Sequence, residues 1–466
     1  MPILKSLRIA AAFVMIAVTL PVAMFSQQSD SVSAATPDPQ IALALRDVSP
    51  ARIQQAIEKL VSFQTRQTLS SNLPSVSAEG INAAANWIED EFHRYSSQCG
   101  DCLDVRTDQF IQQPASRVPQ PTTITNVYAI LKGTDPANAK RIYVVTGHYD
   151  SRNSDANDAK GAAPGANDDA SGTAVSLECA RVLSQHRFPA TIIFLTVAGE
   201  EQGLYGSAHF AVMSKAVGWN LEALLNNDIV GGDRTPGDTG QKPHVVRVFS
   251  EGMSSTASAE ESLRIRSLGG ESDSPSRQLA RYIAAVAQEY LPPADFRPML
   301  VFRHDRYLRG GDHFSFNEQG FAAVRFTEYR ENYNHQHQNV RTENGIEYGD
   351  LPKFVDYEYT ANVARLNAAT LAELASAPAP PANVRLLTKE LQNDSTLQWE
   401  PSPGGLATGY EVLWRDTTAP EWQHVKAVGN VTKATLPLSK DNVIFAVRAL
   451  DAKGHRSLGI VPLPER

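Results

Sequence analysis

The sequence predicts an α/β fold: a mixed, mostly parallel sheet with helices on both faces, joined to a small all-β sandwich. Three observations carry this. From Thr123 onward, short apolar runs alternate with helical patterns, and the runs have few polar interruptions, as strands covered on both faces do. The stretch ASAPAPPA over residues 375–382 is stiff and extended in character and marks a boundary. Beyond it, apolar residues alternate with period two between Gly, Pro and Asp turns.

Composition narrows the function classes. Among 466 residues, 42% are hydrophobic and 20% charged, which suits a folded protein and excludes disorder, collagen-like repeats and coiled coil. A net charge of −8 provides no electrostatic footprint for nucleic acid or an anionic membrane. Three cysteines exclude a disulfide framework or a Cys-rich zinc module.

Taken in order, Lys5 and Arg8 precede an apolar run from Ile9 to Phe25, and small residues follow at Val32, Ala34 and Ala35. Residues 1–35 read as a secretory signal peptide, with an uncleaved N-terminal anchor as the alternative. The expectation is an exported protein, periplasmic or secreted. Ser49-Pro50 is a helix start, running to about Phe63. Ile81, Ala85, Ile88, Phe92 and Tyr95 trace a second amphipathic helix. Cys99 and Cys102 follow it in a Gly/Asp turn, which favours a small structural disulfide, or two idle thiols, over a redox pair. Strands are expected over residues 124–131, 142–146, 192–197, 223–227 and 322–326, and further helices over 172–187, 204–217, 277–290 and 351–374. The division is therefore 1–35, an α/β domain over 36–375, a linker over 376–382 and a sandwich over 383–466.

The chemistry-bearing residues follow the strands. His148 stands at the end of an apolar strand, with Asp150 two residues on, placed to bond the imidazole. Asp168-Asp169 opens a helix; capping needs one carboxylate, which leaves Asp168 over. Glu200-Glu201 ends a buried strand, where adjacent carboxylates are costly unless paired or metal-bound, and where one can ligate while the other acts as general base. Asp228 ends the next apolar strand, and Tyr333-Asn-His335-Gln-His337 follows the last one. Histidine and carboxylate donors without Cys suit zinc, with Co2+ or Mn2+ as substitutes. His304, Asp305, Arg306, Arg309, Asp312 and His313 form a polar cluster that either lines a substrate pocket or folds a surface loop.

The order His148, Asp168, Glu200-Glu201, Asp228, His335 resembles the zinc peptidase family M28, whose members include co-catalytic dizinc aminopeptidases and carboxypeptidases. The resemblance spans residues 40–375. It implies two Zn2+ per chain, with Asp168 bridging, His148 and Asp228 completing one site, Glu201 and His335 the other, and Glu200 as general base. The family places an Asp four residues after its last histidine; Asn339 holds that offset from His335, which selects His335 over His337. The family's Tyr before that histidine is Asn334 here. The implied function is peptide hydrolysis, aminopeptidase before carboxypeptidase. Rivals are a glutaminyl cyclase-like zinc acyltransferase, opposed by the complete two-site ligand set, and a non-catalytic binding or adhesion protein, opposed by retention of the base. Residues 383–461 are similar to a fibronectin type III module through Trp399, Tyr410 and the segment FAVRALDAKG.

Overall fold

The computed structural model describes residues 36–73, 79–292 and 294–465. The proposed signal peptide lies outside the described residues. Helices α1 (Pro39–Arg46), α2 (Pro50–Val61) and α3 (Gly80–Gln98) lead into strands β1 (Leu103–Gln112), β2 (Thr122–Leu131) and β3 (Arg141–His148). Ser49 caps α2, its hydroxyl accepting from the Arg52 N–H. A Cys99–Cys102 disulfide joins the end of α3 to the start of β1.

Next come α4 (Ala170–Leu183), β4 (Thr191–Val197), the single turn α5 (Glu200–Gly203), α6 (Tyr205–Ala216), β5 (Asn220–Asn227), β6 (Val245–Ser250), α7 (Ala259–Ser267) and α8 (Pro275–Tyr290). They are followed by β7 (Arg297–Val301), α9 (His313–Asn317), β8 (Ala323–Glu328), the short pair β9 (Arg341–Glu343) and β10 (Ile346–Tyr348), and α10 (Tyr357–Ser376). One eight-stranded sheet runs β1-β2-β4-β3-β5-β8-β6-β7. Its centre is parallel: β4, β3, β5 and β8 run together, while β1–β2, β2–β4 and β8–β6 pair antiparallel and the edge pair β6–β7 is parallel. Every residue of β3 and β4 is buried, as their unbroken apolar runs require. Strands β1, β6 and β7 were not expected. β1 and β7 hold the sheet edges, where much of the strand is exposed and the apolar signal is diluted.

The C-terminal part has strands β11 (Ala382–Leu387), β12 (Ser395–Glu400), β13 (Gly409–Asp416), β14 (His424–Gly429), β15 (Lys433–Leu436), β16 (Val443–Leu450) and β17 (Leu463–Glu465). They form two sheets, β15-β12-β11-β17 and β14-β13-β16, around Trp399, Tyr410, Val412, Phe445 and Val447.

The segment joining the two parts is not a free spacer. Ala377, Pro378 and Ala379 are buried. The Ala377 carbonyl accepts from Arg141 Nη1 at 2.8 Å. A seam of buried charges runs alongside. Asp273 is paired with Arg281 at 3.1 Å and with Arg415 of β13 at 2.8 Å. Arg281 Nε also donates to the Pro420 carbonyl at 2.7 Å. His455 lies between Glu373 of α10, at 3.0 Å, and Asp38 at the start of α1, at 3.3 Å. No helix among the described residues is long and apolar enough to cross a membrane.

Candidate metal centre

The carboxyl ends of β3, β4 and β5 open on one side of the sheet, and each delivers a functional side chain there. His148 is the last residue of β3 and is fully buried. Its Nδ1 lies 3.1 Å from the Asp150 backbone carbonyl, so the proton belongs on Nδ1 and Nε2 faces the centre as a donor atom. The Asp150 carboxylate also faces Nδ1, with Oδ1 3.4 Å away, as expected, and it has a second task. It accepts from the Glu200 and Glu201 N–H groups at 3.3 and 3.2 Å and from Thr68 Oγ1 at 3.0 Å, which anchors the first turn of α5. That turn begins sharply because Gly199 has φ 77°, and a Cβ there would lie 2.9 Å from Ile124 Cδ1.

Asp169 caps α4 through the Gly172 N–H at 2.9 Å. It also accepts from the His148 N–H at 3.0 Å and the Ile229 N–H at 3.2 Å. One carboxylate therefore ties together the residues carrying His148, Asp168 and Asp228. Asp350 supports the same turn, accepting from the N–H groups of Asn167 and Asp168 at 2.8 and 2.7 Å. Arg66, fully buried, braces the approach by donating to the carbonyls of Tyr149, Pro164 and Gly165 at 2.7–2.8 Å. Neither Asp350 nor Arg66 stood out in the sequence, because each contacts the site only through folded loops.

The expected residues converge, with one exception. His148, Glu200 and Asp228 bring donor atoms within 4.8 Å of one another, and so do Asp168, Glu201 and His337. His148 Nε2 is 3.3 Å from Asp168 Oδ1 and 3.8 Å from Asp228 Oδ1, which places the two groups side by side. The exception is His335. Its Nδ1 lies 2.5 Å from Asp233 Oδ2, and its ring stacks on Phe354 with centroids 3.8 Å apart. His337 instead sits 2.9 Å from Asp168 Oδ2 and 3.0 Å from Glu201 Oε1. The selection of His335 is thus corrected to His337. Asn339 does not back His335: its side-chain oxygen accepts from the Ser154 N–H at 3.2 Å. His337 has a left-handed backbone, with φ 56°. Gln336, between the two histidines, donates to Asp168 Oδ2 at 3.0 Å.

The electrostatics fit bound metal. His148 Nε2 and Glu201 Oε1 are buried and make no hydrogen bond, although Asp168 Oδ1 lies 3.3 Å from the first and His337 Nε2 3.0 Å from the second. Donor atoms that crowd together without bonding one another suit a metal between them. Burial pushes Glu200 well above the usual carboxylate range and raises Glu201. Burial also acts upward on Asp168, but the His337 and His148 imidazoles together hold it well below that range. His337 is raised to about 10: burial opposes its charge, and Glu201 and Asp168 outweigh burial. A divalent cation would take the place of these protons.

The polar cluster of residues 304–313 divides. Asp305 is buried and pairs with Arg325 at 3.0 Å, while Arg306 and Arg309 converge on Glu331 at 2.8 and 2.7 Å. His304 stacks on Phe314. Asp312 is fully buried with neither carboxylate oxygen hydrogen-bonded.

Comparison with known proteins agrees with this geometry. The model of peptidase family M28 matches residues 126–356. A "probable zinc metalloprotease" of Pyricularia oryzae is 47% identical over 447 residues, covering 94% of this chain and 87% of its own. One of Pyrenophora teres f. teres is 46% identical over 432 residues, covering 92% and 88%. Among solved structures, LapB from Legionella pneumophila shares the fold with a TM-score of 0.52 at 19% identity, covering 74% of this chain and 78% of that one. Strand-end donors in this order, together with identity of that extent along almost the whole chain, make the protein a member of peptidase family M28.

Proposed function

We propose that the protein is an exported zinc aminopeptidase with two Zn2+ per chain. The observation that carries it is the side-by-side pair of donor clusters, His148–Asp228 and Glu201–His337, with Asp168 next to both. Bound zinc would supply positive charge that acidifies water and polarises a peptide carbonyl. The protein's own residues do the rest. Asp168 holds the two halves at a common spacing, and Asp169 fixes the strands that carry them. Glu200 is less buried than Glu201 and has a raised proton affinity, so it takes the proton of the attacking water and passes it to the leaving amine.

Aminopeptidase action is taken before carboxypeptidase action, as the family resemblance implies. A structural neighbour described as an aminopeptidase, LapA of Legionella pneumophila, supports that order, and the relatives named zinc metalloproteases support the zinc. Export is supported by the N-terminal pattern and by the Cys99–Cys102 disulfide, which persists in oxidising compartments. The sandwich over 383–466 is read as a fibronectin type III-like module.

The test is hydrolysis of aminoacyl-nitroanilides against N-acylated peptides with a free carboxyl end, before and after chelation and reloading with zinc. Cleavage of the first set alone, abolished by chelation, is expected. Cleavage of the second set alone would make the protein a carboxypeptidase, and activity indifferent to chelation would overturn the reading.

A further inference from the structure

Asp228 is unlike the other proposed carboxylate ligands in having an arginine on its carboxylate; Arg117 reaches only the backbone carbonyl of Glu201. Arg325 lies on β8, whose register pairs it with Asn226 of β5, two residues before Asp228. The side chain is fully buried. Its Nη2 is 2.9 Å from Asp228 Oδ1, the oxygen 3.8 Å from His148 Nε2. Its Nη1 is 3.0 Å from Asp305 Oδ2 and donates to the Gly310 carbonyl at 2.8 Å. The next residue, Gly311, packs so closely that a Cβ would lie 3.1 Å from Asp228 Oδ2 and 3.3 Å from Arg325 Nη1. The guanidinium is held by three fixed acceptors and so presents Asp228 in one orientation.

A buried arginine needs counter-charges, and Asp305 already provides one. The second contact, to a ligand carboxylate, therefore has a local consequence. A carboxylate free to rotate about its last bond samples poor donor geometry; one held by a charge-assisted hydrogen bond does not. The other half of the centre lacks such a clamp: Glu201 and His337 touch neither Arg325 nor Asp305 among the described contacts.

We propose that Arg325 is the positioning residue of the His148–Asp228 half of the centre, setting the affinity of that half alone and linking it to the loop 305–311. The proposal rests on the two-zinc reading. Its test is titration of the metal-free, full-length protein with Zn2+ against a chromogenic chelator, followed by Co2+ loading and absorption spectroscopy.

Wild type is expected to bind two cations. Arg325→Gln should weaken one binding event by about 10–100-fold and leave the other unchanged. Arg325→Lys should recover part of the loss. Circular dichroism tells a folded variant from an unfolded one. Where Arg325→Gln does not fold, Asp305→Asn releases the far side of the guanidinium and should weaken the same event by a smaller factor. Equal weakening of both events, or no change in either, overturns the proposal. A wild type that takes a single cation overturns the two-zinc reading and is seen before any variant is made.

Discussion

Buried charge is arranged in opposite ways at the metal centre and at the seam between the α/β part and the sandwich. At the seam, charges meet opposite charges: Asp273 holds Arg281 and Arg415, Glu411 holds Arg448 at 2.7 Å, and His455 sits between Glu373 and Asp38. At the centre, acids crowd together. Asp168, Glu200, Glu201, Asp228 and Asp312 share two histidines and one arginine, and His148 Nε2, Glu201 Oε1 and both Asp312 oxygens make no hydrogen bond. Desolvated charge of either kind is costly. The seam offsets the cost with protein partners and is a structural device. The centre leaves part of its charge without protein partners, as a site for cations would. An excess of one sign, more than burial or a shifted proton affinity, separates the two.

The largest expected effect breaks catalysis without touching the ligands. Glu200→Gln should keep metal content and lower kcat by about 10²–10⁴-fold. Loss of metal in this variant would make Glu200 a ligand, which its closeness to His148 and Asp228 makes the sharp alternative. The next contrast is between neighbouring histidines. His337→Ala should lose metal and activity together, whereas His335→Ala should retain metal and lose stability, because it leaves Asp233 without its imidazole. Elemental analysis and thermal melts separate the two.

At the seam, Arg415→Ala leaves Asp273 with Arg281 and Gln278 and should cost about 1.5–3 kcal/mol of stability, read from denaturant midpoints, with metal content unchanged. A chain ending at Ser376 should show the same sign. The smallest effect is a pH dependence. Burial alone would lower the proton affinity of His455, but Glu373, Asp451 and Asp38 outweigh it and raise the value above the ordinary one. The folded form then binds the proton more tightly, so the contribution is complete below pH of about 6.5 and fades as pH rises through the folded value. The stability gap between wild type and His455→Gln should narrow on going from pH 6 to pH 9. A gap that widens would mean His455 is held neutral.

What the sequence showed and hid follows the same division. The strands ending at His148, Val197 and Asn227 were legible because burial on both faces leaves unbroken apolar runs, and the residues just after them were legible because carboxylates do not otherwise belong there. The helices starting at Pro50 and Ala170 announced themselves through Ser49 and Asp169. Edge strands β1 and β7 escaped because exposure dilutes their pattern. His335 and His337 could not be separated by spacing, since the choice depends on Asp233 and Phe354 from distant segments. The stretch 375–382 read as a spacer by composition, yet its alanines are small enough to be buried against the seam.

Asp169 carries one further consequence. By accepting N–H groups from β3, from the turn after β5 and from α4, it makes the donor set a property of the assembled sheet. Segments of the chain far apart in sequence must dock before any pair of ligands faces another. Cation binding and cooperative folding are then one equilibrium. Free zinc at a hundred times its dissociation constant would add about 2.7 kcal/mol per site to the unfolding free energy. Chelation would return the same amount, so on the zinc reading the melting temperature should track free zinc.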